Sequence, residues 1–319
     1  MVSFMIQFMA YIFETPIFND VPTRFKRFSL PEPIIFYISK NPSSMKLYQK
    51  LIQTYKYFFS KNPILIYHCL SFDDEDGWKI CGNTDAETTE LSFDFTKTSS
   101  KVELFPKVWI TECLEIISCE NPNLASWFLQ EKLFRHEITD KSCINFYKQT
   151  ISFNDLFPRY STIKTVNLPH VSIICEDGTV ASVEKILTNF PNVKKFYYKN
   201  DTVTHSPNLV ENLLKIPHFS NITHFRLDSL SDTFNIEKFY EFVKKTDGMI
   251  IILNFAQTIS EEYQNRLEAI VDEILESYEN NNSVNQYKPI YMNFPGLDEF
   301  KNDMLADCVK TTTGFFSWF

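Results

Sequence analysis

Apolar residues in the second half of the chain recur in a six-residue pattern, apolar–x–x–apolar–x–apolar. The pattern occurs at Ile163/Val166/Leu168, Val193/Phe196/Tyr198, Ile222/Phe225/Leu227 and Ile250/Leu253/Phe255. The first positions of these segments lie 30, 29 and 28 residues apart. Alternating apolar and polar positions predict a strand with one face in the core. We therefore predict four similar strands, with weaker copies at Phe105/Val108/Ile110 and Pro289/Met292/Phe294. Residues 138–157 do not follow the pattern cleanly.

Helical stripes lie between these segments. Two have apolar residues at i, i+3, i+4 and i+7, one is shorter and one is longer: Val183/Ile186/Leu187/Phe190, Ile236/Phe239/Tyr240/Val243, Leu209/Val210/Leu213/Leu214 and Tyr263/Leu267/Ile270/Val271/Ile274/Tyr278. A strand followed by a helix at just under 30 residues is typical of a leucine-rich-repeat-like solenoid, in which neighbouring units share one core. An ordinary open α/β sheet has the same alternation. The predicted fold class is α/β, with a repeat domain at 101–300 and a tail at 301–319.

The N-terminal part has a different character. Residues 29–70 form a short helical module: Pro31 and Pro33 suit a helix start, and Pro42 interrupts the helix. Ser43 or Ser44 can cap a second helix, whose apolar stripe begins at Leu47. Residues 1–28 read as a lead-in, with translation starting at Met1 or Met9, and the polar residues 71–100 read as a linker or long loop.

Strand alternation also predicts which side chains face away from the core. If Phe196 and Tyr198 point inward, the opposite face carries Lys195, Tyr197 and Lys199, and the next strand adds His224 and Arg226. Asp228, Thr165, Asn167, Ile252 and Asn254 flank them. We take Lys195, Tyr197, Lys199, His224 and Arg226 as the candidate substrate-binding residues, suited to an acidic or phosphorylated protein segment. The alternative is that these polar residues simply meet water.

Composition narrows the function classes. Hydrophobic residues make up 44% of the chain and charged residues 22%, which suffices for a real core. The net charge of −9 argues against a nucleic-acid partner. Seven dispersed cysteines indicate reduced thiols and hence a cytoplasmic or nuclear protein. The apolar start, residues 1–13, is too short to span a bilayer, so no membrane association is predicted.

Each catalytic or metal-binding motif considered is incomplete in the sequence or absent from it. His136-Glu137 begins like a zinc-protease motif, but Asp140 stands where its second histidine belongs. The acidic run near Gly77 lacks the end ligands of a calcium loop, since Phe72 and Asn83 occupy those positions. The sequence contains no C-x-x-C, G-x-S-x-G or P-loop motif. We therefore predict no enzyme, no catalytic residues, no metal and no cofactor.

The stretch SLPEPIIFYISKNPSSMKLYQKLIQTYKYFF, residues 29–59, resembles a divergent F-box. With EDGTVASVEKILTNFPNVKKFYY and FNIEKFYEFVKK further on, the chain is similar to the nematode-expanded F-box-like proteins with a leucine-rich-repeat-like C-terminal region. The resemblance implies a substrate receptor of an SCF-type ubiquitin ligase, which binds a Skp-type adaptor and through it a cullin. Leu30, Pro31, Ile34 and Ile38 match the family's adaptor-facing positions. The alternative is a repeat-type interaction protein without a ligase link, whose helical module caps the solenoid.

Overall fold

A computed structural model of the chain describes residues 31, 33–34, 37–38, 42–54, 58, 62–81, 88–90, 107–131, 133–136, 141–157, 160–200, 206–246, 248–280 and 290–313. The chain divides into two compact units. One comprises residues 1–66 and 99–109, and the other comprises residues 67–98 and 110–319. The predicted lead-in at 1–28 lies outside the described residues, so that boundary stays a prediction.

The smaller unit contains helix α1 (Met45–Thr54). Its first turn is capped as predicted, because the backbone N–H of Leu47 donates to the Ser44 hydroxyl at 3.3 Å. The predicted apolar stripe is wrong at its first position. Leu47 is 41% exposed, and its neighbour Tyr48 is the fully buried residue of that turn.

The Tyr48 hydroxyl can be buried because it forms two hydrogen bonds with the backbone. The hydroxyl donates to the carbonyl of Asn62 at 2.8 Å and accepts from the N–H of Ile64 at 3.0 Å. Burial raises the pKa of Tyr48 far above its usual value, partly offset by the Ile64 hydrogen bond. The hydroxyl therefore ties helix α1 to the segment at which the first strand begins.

The chain continues with strands and helices in the following order. The strands are β1 (Ile64–Asp73), β2 (Gly77–Cys81), β3 (Thr88–Glu90), β4 (Lys107–Ile117), β5 (Leu133–His136), β6 (Cys143–Tyr147), β7 (Thr150–Ser152), β8 (Thr165–Pro169), β9 (Ser172–Ile174), β10 (Lys195–Lys199), β11 (His224–Leu230), β12 (Ile250–Phe255) and β13 (Ile290–Asn293). The helices are α2 (Leu124–Glu131), α3 (Phe153–Leu156), α4 (Val183–Thr188), α5 (Leu209–Leu214), α6 (Ile236–Lys245), α7 (Glu261–Asn280) and α8 (Glu299–Thr313).

Eleven of the described strands form one sheet in the order β13-β12-β11-β10-β8-β6-β4-β1-β2-β3, with β5 paired to β4. From β4 to β13 each neighbouring pair on this path is parallel. Strand β2 is antiparallel to both β1 and β3. Strands β7 and β9 form a separate two-stranded parallel sheet. The predicted α/β class is confirmed as a mixed fold with a mostly parallel central sheet.

The predicted leucine-rich-repeat-like solenoid is not what the chain forms. The segments between successive parallel strands are unequal, with helices of 6, 6, 10 and 20 residues in α4, α5, α6 and α7. A solenoid requires units of similar size, because each unit stacks on a like neighbour. The strands are regularly spaced along the chain, but the helices that cover the sheet differ in length.

The repeating pattern places three strands in the correct register and one out of register. Val166 pairs with Phe196, and Phe196 with Phe225, as their shared position in the pattern predicts. The next partner is Ile251, whereas the pattern assigned Leu253 to this position. The fourth segment was thus aligned two residues late. A shift of two keeps each side chain on its face of the sheet.

Strand β6 was missed in the sequence. Its Ile144 lies between Leu114 of β4 and Val166 of β8 in the parallel register, and all three are fully buried. Three residues before Ile144, where the pattern requires an apolar residue, stands Lys141. Of the predicted upstream copy, Val108 and Ile110 lie in β4 before the part that pairs with β6, and Phe105 lies outside the described residues.

Phenylalanine fills the space between the sheet and its helices. Phe225 stacks on Phe196 with ring centroids 6.0 Å apart, and Phe219 meets Phe225 edge-on at 5.0 Å. Phe239 of α6 lies 6.2 Å from Phe225, and all four rings are buried. Each buried ring contributes about 2–3 kcal/mol by removal of its surface from water. This use of large rings in the core accounts for part of the 31 phenylalanines.

The acidic run after β1 forms the turn into β2. The Asp73 carboxylate accepts from the N–H groups of Glu75 and Asp76 at 3.0 and 2.6 Å, and Gly77 has a φ of 74°. Asp74 accepts from the Ser118 hydroxyl at 2.6 Å. Asp73 thus fixes the backbone of this turn, whereas Asp74 binds the segment after β4, where it also accepts from the N–H groups of Cys119 and Glu120. Within the described part of the chain no group of three or more histidine, cysteine or acidic side chains is arranged to hold a metal ion.

The expectation that the cysteines are reduced thiols is wrong for one pair. Cys113 and Cys143 are direct partners in the register of β4 and β6 and form a disulfide, with a Cα–Cα distance of 4.7 Å. Sequence spacing did not reveal the pair because the register between two strands 30 residues apart brings them together. Cys119 and Cys175 are outside this disulfide and are thiols.

Candidate functional site

One face of the parallel strands carries a continuous row of mostly polar side chains, one from each strand. We call it the central row. In order across the sheet it consists of Glu115, Asn145, Asn167, Tyr197, Arg226, Ile252 and Tyr291. The side chains of the opposite face, such as Phe196 and Leu227, belong to the core. The row therefore lies on the face of the sheet opposite these side chains, with Ile252 and Tyr291 buried at one end, and we refer to it with its flanking positions as the strand face.

Side-chain amides link the first three members of the row. Asn145 donates to the carboxylate of Glu115, and Asn167 donates to Asn145 Oδ1 at 2.8 Å. Burial raises the pKa of Glu115, and the Asn145 hydrogen bond partly offsets that rise. Asn167 Oδ1 is buried and has no hydrogen-bond partner among the described residues. The ladder thus ends in an acceptor facing Tyr197 on the next strand.

The carboxylate of Asp228 organises the centre of the strand face. Arg226 binds it with two hydrogen bonds, Nε to Oδ1 at 3.0 Å and Nη2 to Oδ2 at 3.1 Å. The Tyr197 hydroxyl donates to Oδ2 at 2.8 Å, and the Asn254 amide donates to Oδ1. The Arg226 guanidinium also lies 4.4 Å from the centroid of the Tyr197 ring. We call these four residues the Asp228 cluster.

The Asp228 cluster is largely buried. Asp228 is 6% exposed, and the Arg226 side chain retains 18% of its accessible surface. Burial lowers the pKa of Arg226, but the hydrogen bond and charge of Asp228 outweigh it, so the pKa is raised overall. Both hydrogen-bond directions of each carboxylate oxygen are used, and the ring of Tyr197 fixes the guanidinium plane. The cluster therefore holds its side chains in a single arrangement.

His224 is uncharged near neutral pH. Burial, with a smaller effect of the neighbouring Lys195 ammonium, lowers the pKa of His224 to about 4. The two residues are register partners on β11 and β10. His224 therefore adds no positive charge to this face at pH 7.

The structure brings all five candidate substrate-binding residues together. Lys195, Tyr197 and Lys199 alternate with the buried Phe196 and Tyr198 along β10 as predicted. On β11, His224 and Arg226 lie directly beside Lys195 and Tyr197 in the register. Arg226 differs from the expectation in being engaged by Asp228.

The four candidate adaptor-binding residues lie in the smaller unit. Leu30 lies outside the described residues. Pro31 is exposed, Ile34 is 45% exposed, and Ile38 is half-buried. Near them, Tyr37 is 70% exposed. An apolar surface is therefore accessible in this segment.

Sequence reasoning did not single out Glu115, Asn145 or Tyr291. Glu115 and Asn145 lie on strands whose register the pattern did not give, β4 and β6. Tyr291 lies on β13 opposite Ile252, and its hydroxyl donates to Asn302 at 2.8 Å. The alternation of Ile144 and Phe146 around Asn145 is the signal that could have revealed this part of the row.

Two residues at the carboxyl ends of neighbouring strands have left-handed backbone conformations. Lys148, just after β6, has a φ of 53°, and His170, just after β8, has a φ of 57°. The rings of Tyr147 and His170 meet edge-on with centroids 5.5 Å apart. The N–H of the residue after His170 donates to the carbonyl of Lys199 at 3.1 Å, so His170 adjoins the end of β10.

Comparison with family models, with curated protein sequences and with solved structures finds no match to the chain. No helix of the described residues is long and apolar enough to cross a bilayer.

Proposed function

We propose that the protein is a non-enzymatic adaptor that binds a segment of a partner protein on the strand face. The observation that carries this proposal is the Asp228 cluster. It fixes Tyr197 and Arg226, the residue types that contribute most to protein interfaces, on a rigid sheet. Preorganised side chains lose little entropy when a partner binds.

A purely structural role explains the cluster less well. Well-packed apolar residues of similar volume commonly stabilise a protein as well as a buried ion pair or better. Arg226 and Asp228 lie on the strand face rather than in the aromatic core on its other side. A recognition role accounts for polar groups held in this position.

The charges of the strand face favour an acidic partner segment. Asp228 neutralises Arg226, and His224 is uncharged at neutral pH. Lys195 and Lys199 are the two lysines of β10 on this face, on a chain of net charge −9. A local positive region on an acidic protein steers an acidic or phosphorylated segment to one place.

The resemblance of residues 29–59 to an F-box extends the proposal to a ubiquitin ligase. In this view the smaller unit binds a Skp-type adaptor and through it a cullin, and the strand face selects the substrate in the cytoplasm or the nucleus. The exposure of Ile34, Tyr37 and Leu47 supports docking to a second protein, because exposed apolar side chains grouped in one segment are typical of interaction sites. Substrate transfer would then depend on proximity alone.

The ligase link is tested by co-purification with a Skp-type adaptor. We expect stoichiometric binding by the wild type and its loss in Ile34→Asp/Leu47→Asp. Phe300→Asp is the matched control, since Phe300 is 71% exposed and lies in the other unit. Absence of binding by a folded wild-type protein would remove the ligase link and leave the strand-face proposal in place.

The strand-face proposal is tested by quantitative capture of partners. Wild type is compared with Lys195→Glu/Lys199→Glu and with the control Lys215→Glu/Lys245→Glu, which makes the same charge change at two exposed lysines, one just after α5 and one at the end of α6. We expect a defined set of proteins to bind at least tenfold less to Lys195→Glu/Lys199→Glu than to wild type. The control variant should bind the same set as wild type does. An identical set on all three proteins would contradict the proposal.

A further inference from the structure

The Cys113–Cys143 disulfide lies on the strand face. Glu115 and Asn145 of the central row stand two positions after Cys113 and Cys143 on β4 and β6, and side chains two positions apart on a strand share a face. Each cysteine keeps part of its surface exposed to solvent. The disulfide is therefore part of the proposed binding surface and is not enclosed in the core.

The pairing of β4 with β6 does not depend on the disulfide alone. Five register pairs join the two strands, and Cys113–Cys143 is the first of them. The next pair, Leu114 with Ile144, is fully buried and holds the strands together by removal of apolar surface from water. We therefore expect a reduced chain to remain folded and to lose order mainly at this end of the pairing.

This end of the pairing leads to a candidate substrate-binding residue. Cys143 is the register partner of Thr165 on β8, and Thr165 is the register partner of Lys195 on β10. The backbone N–H of Thr165 also donates to the carbonyl of Ser142 at 3.1 Å. The row that begins at the disulfide thus reaches Lys195 across two strand pairings.

The same end supports the side-chain hydrogen bonds of the central row. Asn145 donates to the Glu115 carboxylate across the β4–β6 pairing, and Asn167 donates to Asn145 at 2.8 Å. Hydrogen bonds weaken steeply when their geometry is distorted. Freedom between β4 and β6 therefore reduces the order of this part of the strand face, and restoring that order on binding costs affinity.

We propose that the Cys113–Cys143 disulfide is a redox switch for the strand face: the oxidised form binds the partner segment, and the reduced form binds it more weakly. The inference rests on the proposed function, to which it adds a mode of regulation. Disulfides in the cytoplasm and the nucleus are usually transient and serve catalysis or redox sensing. A disulfide that borders solvent is also more readily reduced than an enclosed one.

The reductant is a thiol such as glutathione. Its thiolate attacks one sulfur of the disulfide, which forms a mixed disulfide and releases one protein thiol. A second glutathione attacks the glutathione sulfur of the mixed disulfide, releases the other protein thiol and leaves as glutathione disulfide. Two electrons thus pass from two glutathione molecules to the protein, and glutathione disulfide reverses the reaction.

The redox property is tested on the purified full chain in buffers of reduced and oxidised glutathione. After equilibration the free thiols are alkylated, and mass spectrometry of the peptides that contain Cys113 and Cys143 gives the reduced fraction. We expect both forms to be present in buffers within about tenfold of the cytosolic glutathione ratio. A disulfide that stays intact in a buffer about a thousandfold more reducing, or thiols that stay reduced in oxidised glutathione alone, would overturn the inference.

Hydrogen–deuterium exchange on the protein alone tests the local effect. Reduction should speed exchange in peptides covering Cys143–Tyr147 and Thr165–Pro169, and should leave Ile290–Asn293 at the far edge of the sheet unchanged. An equal change in all three segments, or no change in any of them, would contradict a switch that acts on this part of the strand face.

Binding is tested with the proteins that wild type captures from cell extract and Lys195→Glu/Lys199→Glu does not. We expect capture to be at least tenfold weaker for reduced wild type and for Cys113→Ser/Cys143→Ser, and to return when wild type is reoxidised. Cys119→Ser is the matched control, since it removes a thiol outside the disulfide and should respond to reduction as wild type does.

The comparison of the two wild-type forms is decisive because it involves no substitution. Equal capture by both forms would overturn the inference, and the dependence of capture on Lys195 and Lys199 would leave the proposed function standing. If no captured protein depends on these lysines, the proposed function fails and the inference fails with it.

Discussion

Removing the Asp228 carboxylate should expose how strongly the Asp228 cluster is coupled. Asp228→Leu leaves the Arg226 guanidinium without its counter-charge, and the two side chains are only 8% and 18% exposed. Breaking a fully buried ion pair costs about 3–5 kcal/mol. Because Arg226 keeps some contact with water, we expect a loss of about 2–4 kcal/mol in the free energy of unfolding. Arg226→Leu should cost a similar amount, since it leaves a buried carboxylate.

The double variant Arg226→Leu/Asp228→Leu should be far less damaging than the two single effects combined. Both charges are gone, and apolar side chains of similar volume replace them, which is commonly neutral or stabilising. The remaining cost is that Tyr197 and Asn254 lose their shared acceptor, about 1–2 kcal/mol in total. The cycle should therefore give a coupling energy of at least about 2 kcal/mol.

Urea unfolding followed by tryptophan fluorescence and circular dichroism measures these free energies. Arg266 and Glu237 supply the control cycle. This pair also forms two hydrogen bonds, but both side chains are almost half exposed, at 46% and 47%. Its coupling should stay below about 1 kcal/mol and fall with added salt. Additive effects of Arg226 and Asp228, within about 0.5 kcal/mol, would refute the view that they form one preorganised unit.

Three further predictions concern pH, a covalent link and a buried hydroxyl. His224 has a folded pKa of about 4 against an ordinary value of 6.5, so the unfolded chain binds the proton first. Stability present above pH 6.5 should be lost by up to about 3 kcal/mol as the pH falls to 4, and His224→Gln should flatten this part of the profile measured by melting at each pH. Reduction of the Cys113–Cys143 disulfide should lower the free energy of unfolding by about 3–4 kcal/mol for a loop of this length. If both thiols are alkylated when the protein is treated with a thiol-blocking reagent at cell lysis, the disulfide is contradicted. That result would agree with a reducing compartment. Tyr48→Phe should cost about 1–2 kcal/mol because the hydroxyl has two backbone partners, and an unchanged melting temperature would argue against that pair of bonds.

The sequence predicted the strands that have complete patterns and missed those that do not. Val166, Phe196 and Phe225 share one core position because their strands repeat the same apolar spacing. Strand β6 escaped because Lys141 breaks the pattern before Ile144. Local alternation is enough to define a strand, whereas its place in the sheet depends on pairing with residues far away in the chain.

The sequence predicted which side chains share the strand face, but it did not predict how they interact. Alternation along β10 correctly assigned Lys195, Tyr197 and Lys199 to the face opposite Phe196 and Tyr198. The ion pair between Arg226 and Asp228 could not be predicted from the sequence, because two side chains on the same face of one strand can also lie apart from each other. The low pKa of His224 likewise depends on burial, which composition does not give.

The unequal helices explain why the solenoid prediction was wrong. Strand-to-strand spacings of 30, 29 and 28 residues resemble a repeat. Within those spacings α5 has 6 residues and α6 has 10, and α7 then extends to 20. Equal spacing fixed the order of the strands in the sheet, whereas the apolar stripes that cover it differ in length.

The most direct test of the central claim is hydrogen–deuterium exchange on the purified protein with a partner recovered by wild type and lost by Lys195→Glu/Lys199→Glu. We expect bound partner to slow exchange in peptides covering β10 and β11, Lys195–Lys199 and His224–Leu230, and in their neighbours on β8 and β12. Protection confined to helices α6 and α7, with β10 and β11 unchanged, would show that the partner binds elsewhere and would contradict the assignment of the strand face as the binding surface.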